Sequence, residues 1–162
     1  MNISQIMEKM IVFSNGNLHD MNHFMCVWTY AKTIGELEGL DRKTQETLEI
    51  AAITHDIACP LCREKYGNTN GKRQEEEGGP LVRSFLADAG LPTEQVDRVA
   101  YLVSHHHTYT GIDGIDYQVP TKDELIRISK KIRKSLGLSN DRDLISNNYI
   151  DNYPDADSSL SN

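Results

Sequence analysis

At 162 residues the chain has the length of one ordinary domain, enough to bury a hydrophobic core without staples. Apolar residues make up 38% and charged residues 25%, proportions that fit a globular protein and exclude a disordered chain. With 17 basic against 24 acidic side chains the formal charge is -7, which argues against a broad nucleic-acid or anionic-membrane surface; a phosphate compound would need a metal ion or a local basic cluster.

The first nine residues carry acidic and polar side chains where a secretory signal would need a continuous apolar stretch. No apolar run approaches the length of a membrane span. Three cysteines, an odd number, suit a reducing compartment better than a disulfide framework, so a cytoplasmic location is expected.

Over residues 23–39, Phe24, Val27, Trp28, Ala31, Ile34 and Leu37 recur at the three-and-four spacing of an amphipathic helix. Gly39 is a stop and Asp41 a cap for a second helix, which carries Leu48, Ala51, Ala52 and Ile53 and ends near His55-Asp56. Cys59-Pro60 and residues 66–71 read as loop. Cys59 and Cys62 lack both the second CxxC of a zinc knuckle and the strands of a redox fold, and are expected to be ordinary thiols in a turn.

A third helix is expected over 75–89, with Leu81, Val82, Phe85 and Leu86 inward and Gly90 as its stop. Pro92 and Thr93 open a fourth, with a stripe of Val96, Val99, Ala100 and Val103. Residues 108–117 read as loop. Thr121-Lys122-Asp123-Glu124 is a capping-box pattern leading into a basic amphipathic helix over 125–138. The polar end reads as a solvated tail, giving a helical domain over 1–140 and a tail over 141–162. No repeat or alternating pattern suggests strands, so the fold class is all-α.

The 6 histidines fall in three groups: His19 with His23, His55 beside Asp56, and the triplet His105, His106 and His107. The doublet His55-Asp56 interrupts an apolar run, Ile50-Ala51-Ala52-Ile53-Thr54 before it and Ile57-Ala58 after it. An imidazole and a carboxylate in such a run are costly to bury unless compensated, and a divalent metal ion would compensate both. The alternative is a His-Asp pair capping a core helix.

His19 and His23, four apart, would share one helix face, though each alone is equally a polar surface residue. Helical phase has His106 and His107 extending the inward stripe of Val99 and Val103 and turns His105 away. The alternative is a solvated cluster favoured by the helix dipole.

Taken in order, His19-Asp20-x-x-His23, then Ala51-Ala52-Ile53-Thr54-His55-Asp56-Ile57, then Val103-x-x-His106-His107, the pattern resembles the HD-domain superfamily of metal-dependent phosphohydrolases. The resemblance implies a compact helical bundle around one divalent ion (Fe, Mn, Zn or Mg) held by His23, His55 and Asp56. It further implies that the metal activates water, with Asp56 orienting it, and that His106 protonates a leaving oxygen while His107 contacts phosphate.

Two departures from the family pattern stand out. Gln74 occupies the place where members with two metal ions usually carry a histidine, which favours one ion. The final aspartate ligand expected after Gln118 is replaced by Val119-Pro120-Thr121-Lys122-Asp123-Glu124-Leu125, where Glu124 falls nearest the expected place and is also a capping-box residue. Arg63, Lys65, Lys72 and Arg73 are candidate phosphate contacts, Lys65 and Arg73 foremost, or else solvated surface charges. The function implied is hydrolysis of a small phosphorylated compound, nucleotides included. The alternative is a catalytically impaired domain that binds a nucleotide or a protein partner.

Overall fold

Side-chain caps set where the helices of this chain begin. In the computed structural model, which describes residues 1–108, the elements are α1 (Ile3–Phe13), α2 (Leu18–Glu38), α3 (Arg42–Thr54), α4 (Cys59–Tyr66), α5 (Gly71–Leu86) and α6 (Thr93–Val103). Asn2, Asn17, Asp41 and Asn70 each accept a backbone N–H of the helix that follows, satisfying donors with no partner inside the helix. Gly39 and Gly67 end α2 and α4 in the left-handed conformation that only glycine adopts without strain.

No strand occurs among the described residues, and the architecture is all-α, as the sequence implies. The described residues all belong to one unit, bounded at Val119. Residues 109–117, Glu124, the helix expected over 125–138, the boundary at 140 and the tail lie outside the described residues. None of the described helices is long and apolar enough to cross a membrane.

Three expectations about elements need correction, and one helix was not anticipated. The N-terminal stretch is a helix, α1: Asn2 and Gln5 form a capping box, and Ile6 and Met10 are buried. Helix α2 starts at Leu18 rather than at residue 23, because Asn17 supplies the cap, so His19 also lies on the helix. Cys59-Pro60 is not a loop but the first turn of α4, where proline's missing N–H would have had no acceptor anyway. Helix α5 likewise begins at Gly71, not at residue 75.

Helix α3 is the centre of the bundle and packs against α1, α2 and α6. Its last turns, Ile50 to Thr54, are buried, and Ile57 and Ala58 beyond them are sealed completely. Helices α5 and α6 approach closely at two glycines: a Cβ on Gly78 would lie 2.8 Å from Val103 Cγ1, and one on Gly79 would lie 2.2 Å from Ser104 Oγ. This close approach brings the end of α6, and the histidine triplet after it, towards the end of α3.

Candidate metal centre

The apolar residues around the doublet fix its position. Thr54 donates its hydroxyl to Ile50 O, and the chain turns through Ile57 N–H to Thr54 O (3.0 Å) and Cys59 N–H to Asp56 O (2.9 Å). With Ile53, Ile57 and Ala58 fully buried, His55 and Asp56 are held at the edge of the core with their polar ends projecting from it.

His55 is oriented by its own helix. Its Nδ1 lies 2.9 Å from Ala52 O, and because a carbonyl only accepts, Nδ1 carries a hydrogen and Nε2 faces outward. That Nε2 lies 3.0 Å from His23 Nε2 and 3.3 Å from Asp56 Oδ2, while His23 Nε2 and Asp56 Oδ2 are 3.2 Å apart. Three potential ligand atoms thus form a nearly equilateral triangle. Adjacent ligands each about 2.1 Å from one ion are separated by roughly 3.0–3.4 Å, so the triangle fits a divalent ion with nitrogen and oxygen ligands.

The other carboxylate oxygen serves a different partner. His106 anchors its Nδ1–H on Val103 O (2.6 Å) and presents Nε2 to Asp56 Oδ1 at 3.4 Å. This Nε2 is buried and makes no hydrogen bond among the described residues. Asp56 therefore stands between the His23–His55 pair and His106.

Opposing effects act on the charges here. Burial pushes the Asp56 carboxyl up, but the His55 charge and the imidazoles of His106, His23 and His55 around it outweigh this and hold the group well below the usual carboxylate range. Burial pushes His55 down, and the Asp56 carboxylate more than compensates, leaving its pKa raised. Burial and the neighbouring His106 lower His107.

The triplet divides as helical phase implies for two of its members. His106 is directed into the centre, and His105 is turned away, with Nδ1 on Tyr101 O (2.7 Å) and its ring on that of Tyr101. His107 is exposed rather than inward: the helix ends at Val103, so its periodicity no longer governs this position. Its ring lies against that of His106 and over Gly71, where a Cβ would come within 2.7 Å of it. Even so, Asp56, His106 and His107 bring their potential ligand atoms within 4.8 Å of one another. His19 is exposed beside Asp20, outside the triangle.

The basic residues nearby all have acidic partners except Lys72, for which the described residues supply none. Arg63 pairs with Asp20, Lys65 with Glu77 (2.6 Å) and Arg73 with Glu76 (2.8 Å). Lys65 and Arg73 both lie over the Tyr66 ring, whose hydroxyl also donates to Glu77. As placed, Lys65 and Arg73 knit α4 to α5. Gln74 is buried, donating to Thr69 O and accepting from the Cys59 thiol, so its amide is engaged locally. Cys59 and Cys62 are free and buried in α4, and burial pushes both thiols up.

Sequence reasoning gave no role to Asp20 or Glu75. Glu75 Oε1 accepts from both the His107 N–H (3.0 Å) and the Thr108 hydroxyl (2.8 Å), tethering the segment that carries the triplet. Nothing local signals this contact, because it joins residues 32 and 33 positions apart.

Comparison with curated proteins and with solved structures gives no match. The profile of the HD domain, in contrast, matches residues 21–144, a span that includes His23, the doublet and the whole triplet. A match over most of the sequence, with the histidines and Asp56 assembled as described, places this chain in the HD domain family.

Proposed function

We propose that this HD domain is a cytoplasmic metal-dependent phosphohydrolase acting on a small phosphorylated compound, with nucleotides the first class to test. HD domains bind divalent metals and are commonly phosphohydrolases. The observation that carries the reading is the triangle of His23, His55 and Asp56 donor atoms with His106 on the opposite oxygen of the same carboxylate. A bound divalent ion would supply Lewis acidity, making water a nucleophile near neutral pH and drawing charge from a phosphoryl oxygen.

The chain's own residues then have distinct tasks. His23, His55 and Asp56 hold the ion, with Glu124 as a further proposed ligand. Asp56 Oδ1 is an acceptor placed to orient the attacking water. His106 has Nδ1 anchored on Val103 O, so Nε2 is the atom left to pass a proton to the leaving oxygen. His107, exposed and tethered through its backbone, contacts the substrate phosphate. Lys65 and Arg73 join it only by releasing Glu77 and Glu76. Three free cysteines agree with the cytoplasmic setting.

The test is metal content together with phosphate release from a panel of nucleotides and sugar phosphates. Wild type should bind a divalent ion and turn over at least one of them, and His55→Ala should lose both properties. Metal-dependent turnover retained in His55→Ala would sink the assignment. Metal-free protein without turnover would support a non-catalytic binding domain instead.

A further inference from the structure

We infer that Asp20 and Arg63 form a positioning pair that sets His23 against the doublet, and that Arg63 is not a substrate clamp; the inference rests on the metal site proposed above. Arg63 meets Asp20 with two nitrogens, Nη1 to Oδ1 at 3.3 Å and Nη2 to Oδ2, a bidentate arrangement that fixes direction as well as distance. Asn17 Nδ2 donates to the same Oδ2 (3.1 Å), and His19 Nδ1 lies 3.5 Å from Oδ1. The Asp20 side chain is only 13% exposed, so its carboxylate is largely withdrawn from water.

The pair matters because of what lies at each end. Asp20 is three residues before His23 on α2, on the same face of the helix. Arg63 is on α4, whose first residue, Cys59, donates its N–H to Asp56 O. The ion pair thus closes a ring running from His23 through α2, Asp20, Arg63 and α4 to Asp56. Helices α2 and α4 approach each other only sparsely, and this pair is a charged link between them.

His23 is also the ligand that most needs such help. His55 is oriented by Ala52 O and His106 by Val103 O, but His23 has no hydrogen-bond partner on Nδ1 among the described residues, and its side chain is 43% exposed. A metal-binding imidazole ordinarily has its second nitrogen held by another group. Here the placement of the helix turn does that work.

The test is calorimetric titration of Mn²⁺ into wild type, Asp20→Asn, Arg63→Gln and the double variant, each held well below its own unfolding temperature. Each single change should weaken Mn²⁺ binding about tenfold, the scale of lost outer-shell support. The double variant should lose about tenfold as well, not a hundredfold, because both changes break the same pair. Should a single variant fail to fold, the double variant, which leaves no buried charge alone, still gives the comparison with wild type.

Singles that bind Mn²⁺ like wild type overturn the inference, as do losses that multiply in the double variant. Unchanged Mn²⁺ binding with weakened binding of inorganic phosphate in Arg63→Gln would return Arg63 to the substrate. Wild type that takes up no Mn²⁺ overturns the metal site itself, and this inference with it; that result differs from a metal-binding wild type beside unaffected variants.

Discussion

The Nε2 atoms of His23 and His55 are 3.0 Å apart although 32 positions separate the residues in the chain. With His55 Nδ1–H on Ala52 O, a neutral His55 offers only a lone pair at Nε2, so a hydrogen bond between the two rings requires one proton in the gap. A metal ion needs a lone pair from each ring. Metal uptake must therefore clear that proton from the gap, to His23 Nδ1 or, from a charged His55, to solvent.

From this follows a pH dependence with two opposite signs. The raised pKa of His55 means that Mn²⁺ affinity should climb as pH rises above about 6.5, levelling once the ring is neutral. In metal-free protein, the stability from His55 is fully present below about 6.5 and lost as pH rises through its raised value. The contribution of Asp56, whose pKa is lowered, is present above about 4 and lost as pH falls through the folded-state value. Thermal melts in chelator should accordingly show the pair's contribution at its greatest between about 4 and 6.5. Mn²⁺ titrations that are flat across neutral pH would contradict the raised pKa of His55.

Glu75 holds the backbone after α6 from a helix that does not itself bear a ligand. Glu75→Ala should lower kcat about tenfold by loosening His106 and His107, while Mn²⁺ affinity stays within about twofold. Glu75→Gln keeps an oxygen acceptor and should recover most of the rate. An equal loss of Mn²⁺ binding in Glu75→Ala would place the tether's effect on the ion rather than on proton transfer.

Two glycines of α5 should respond differently to alanine. At Gly78 the added Cβ meets fully buried Val103, so an overpacking cost of about 1–3 kcal/mol outweighs a helix-propensity gain of about 1 kcal/mol. A lower Tm is expected. At Gly71 the obstacle is the exposed ring of His107, which can swing aside, so stability should change little while turnover falls. Reversal of the two phenotypes in melts and rate measurements would show that His107 has no part in the reaction.

Thiol reactivity offers a check on the fold around α4. Cys26 is exposed, whereas Cys59 and Cys62 are buried with pKa values raised by that burial. A disulfide reagent at pH 8 should modify one thiol per native chain promptly and three after denaturation. Prompt reaction at Cys59 would mean that the turn after Asp56 opens readily.

Much of this organisation is legible in the sequence because it follows from apolar spacing. Phe24 and Ile34 on α2, Ile50 and Ile53 on α3, and Val99 and Val103 on α6 are buried where their periodicity puts them. His55 and Asp56 could be singled out because the residues on both sides of them had to be inside. Helix α4 was hidden by Cys59-Pro60, since proline marks a loop as readily as a first helical turn. Helix α1 carries its own signal in Asn2, Gln5, Ile6 and Met10, which inspection for a secretory segment overlooks. Pairs such as Asp20 with Arg63 and Glu75 with His107 leave no trace in one sequence, because each charged residue alone resembles a solvated surface group.

The three donors of the triangle come from α2 and the turn that closes α3, neighbouring helices joined at Gly39. The triangle therefore closes within one helical hairpin, over a shorter stretch of chain than the contact that brings His106 to Asp56, and shorter loops close at lower entropic cost when a polypeptide folds. A cation present during refolding would meet its binding atoms on a helical hairpin before α5 and α6 dock. The metal would then act as a template for the order of assembly, and a chelator should slow refolding as well as lower the final stability.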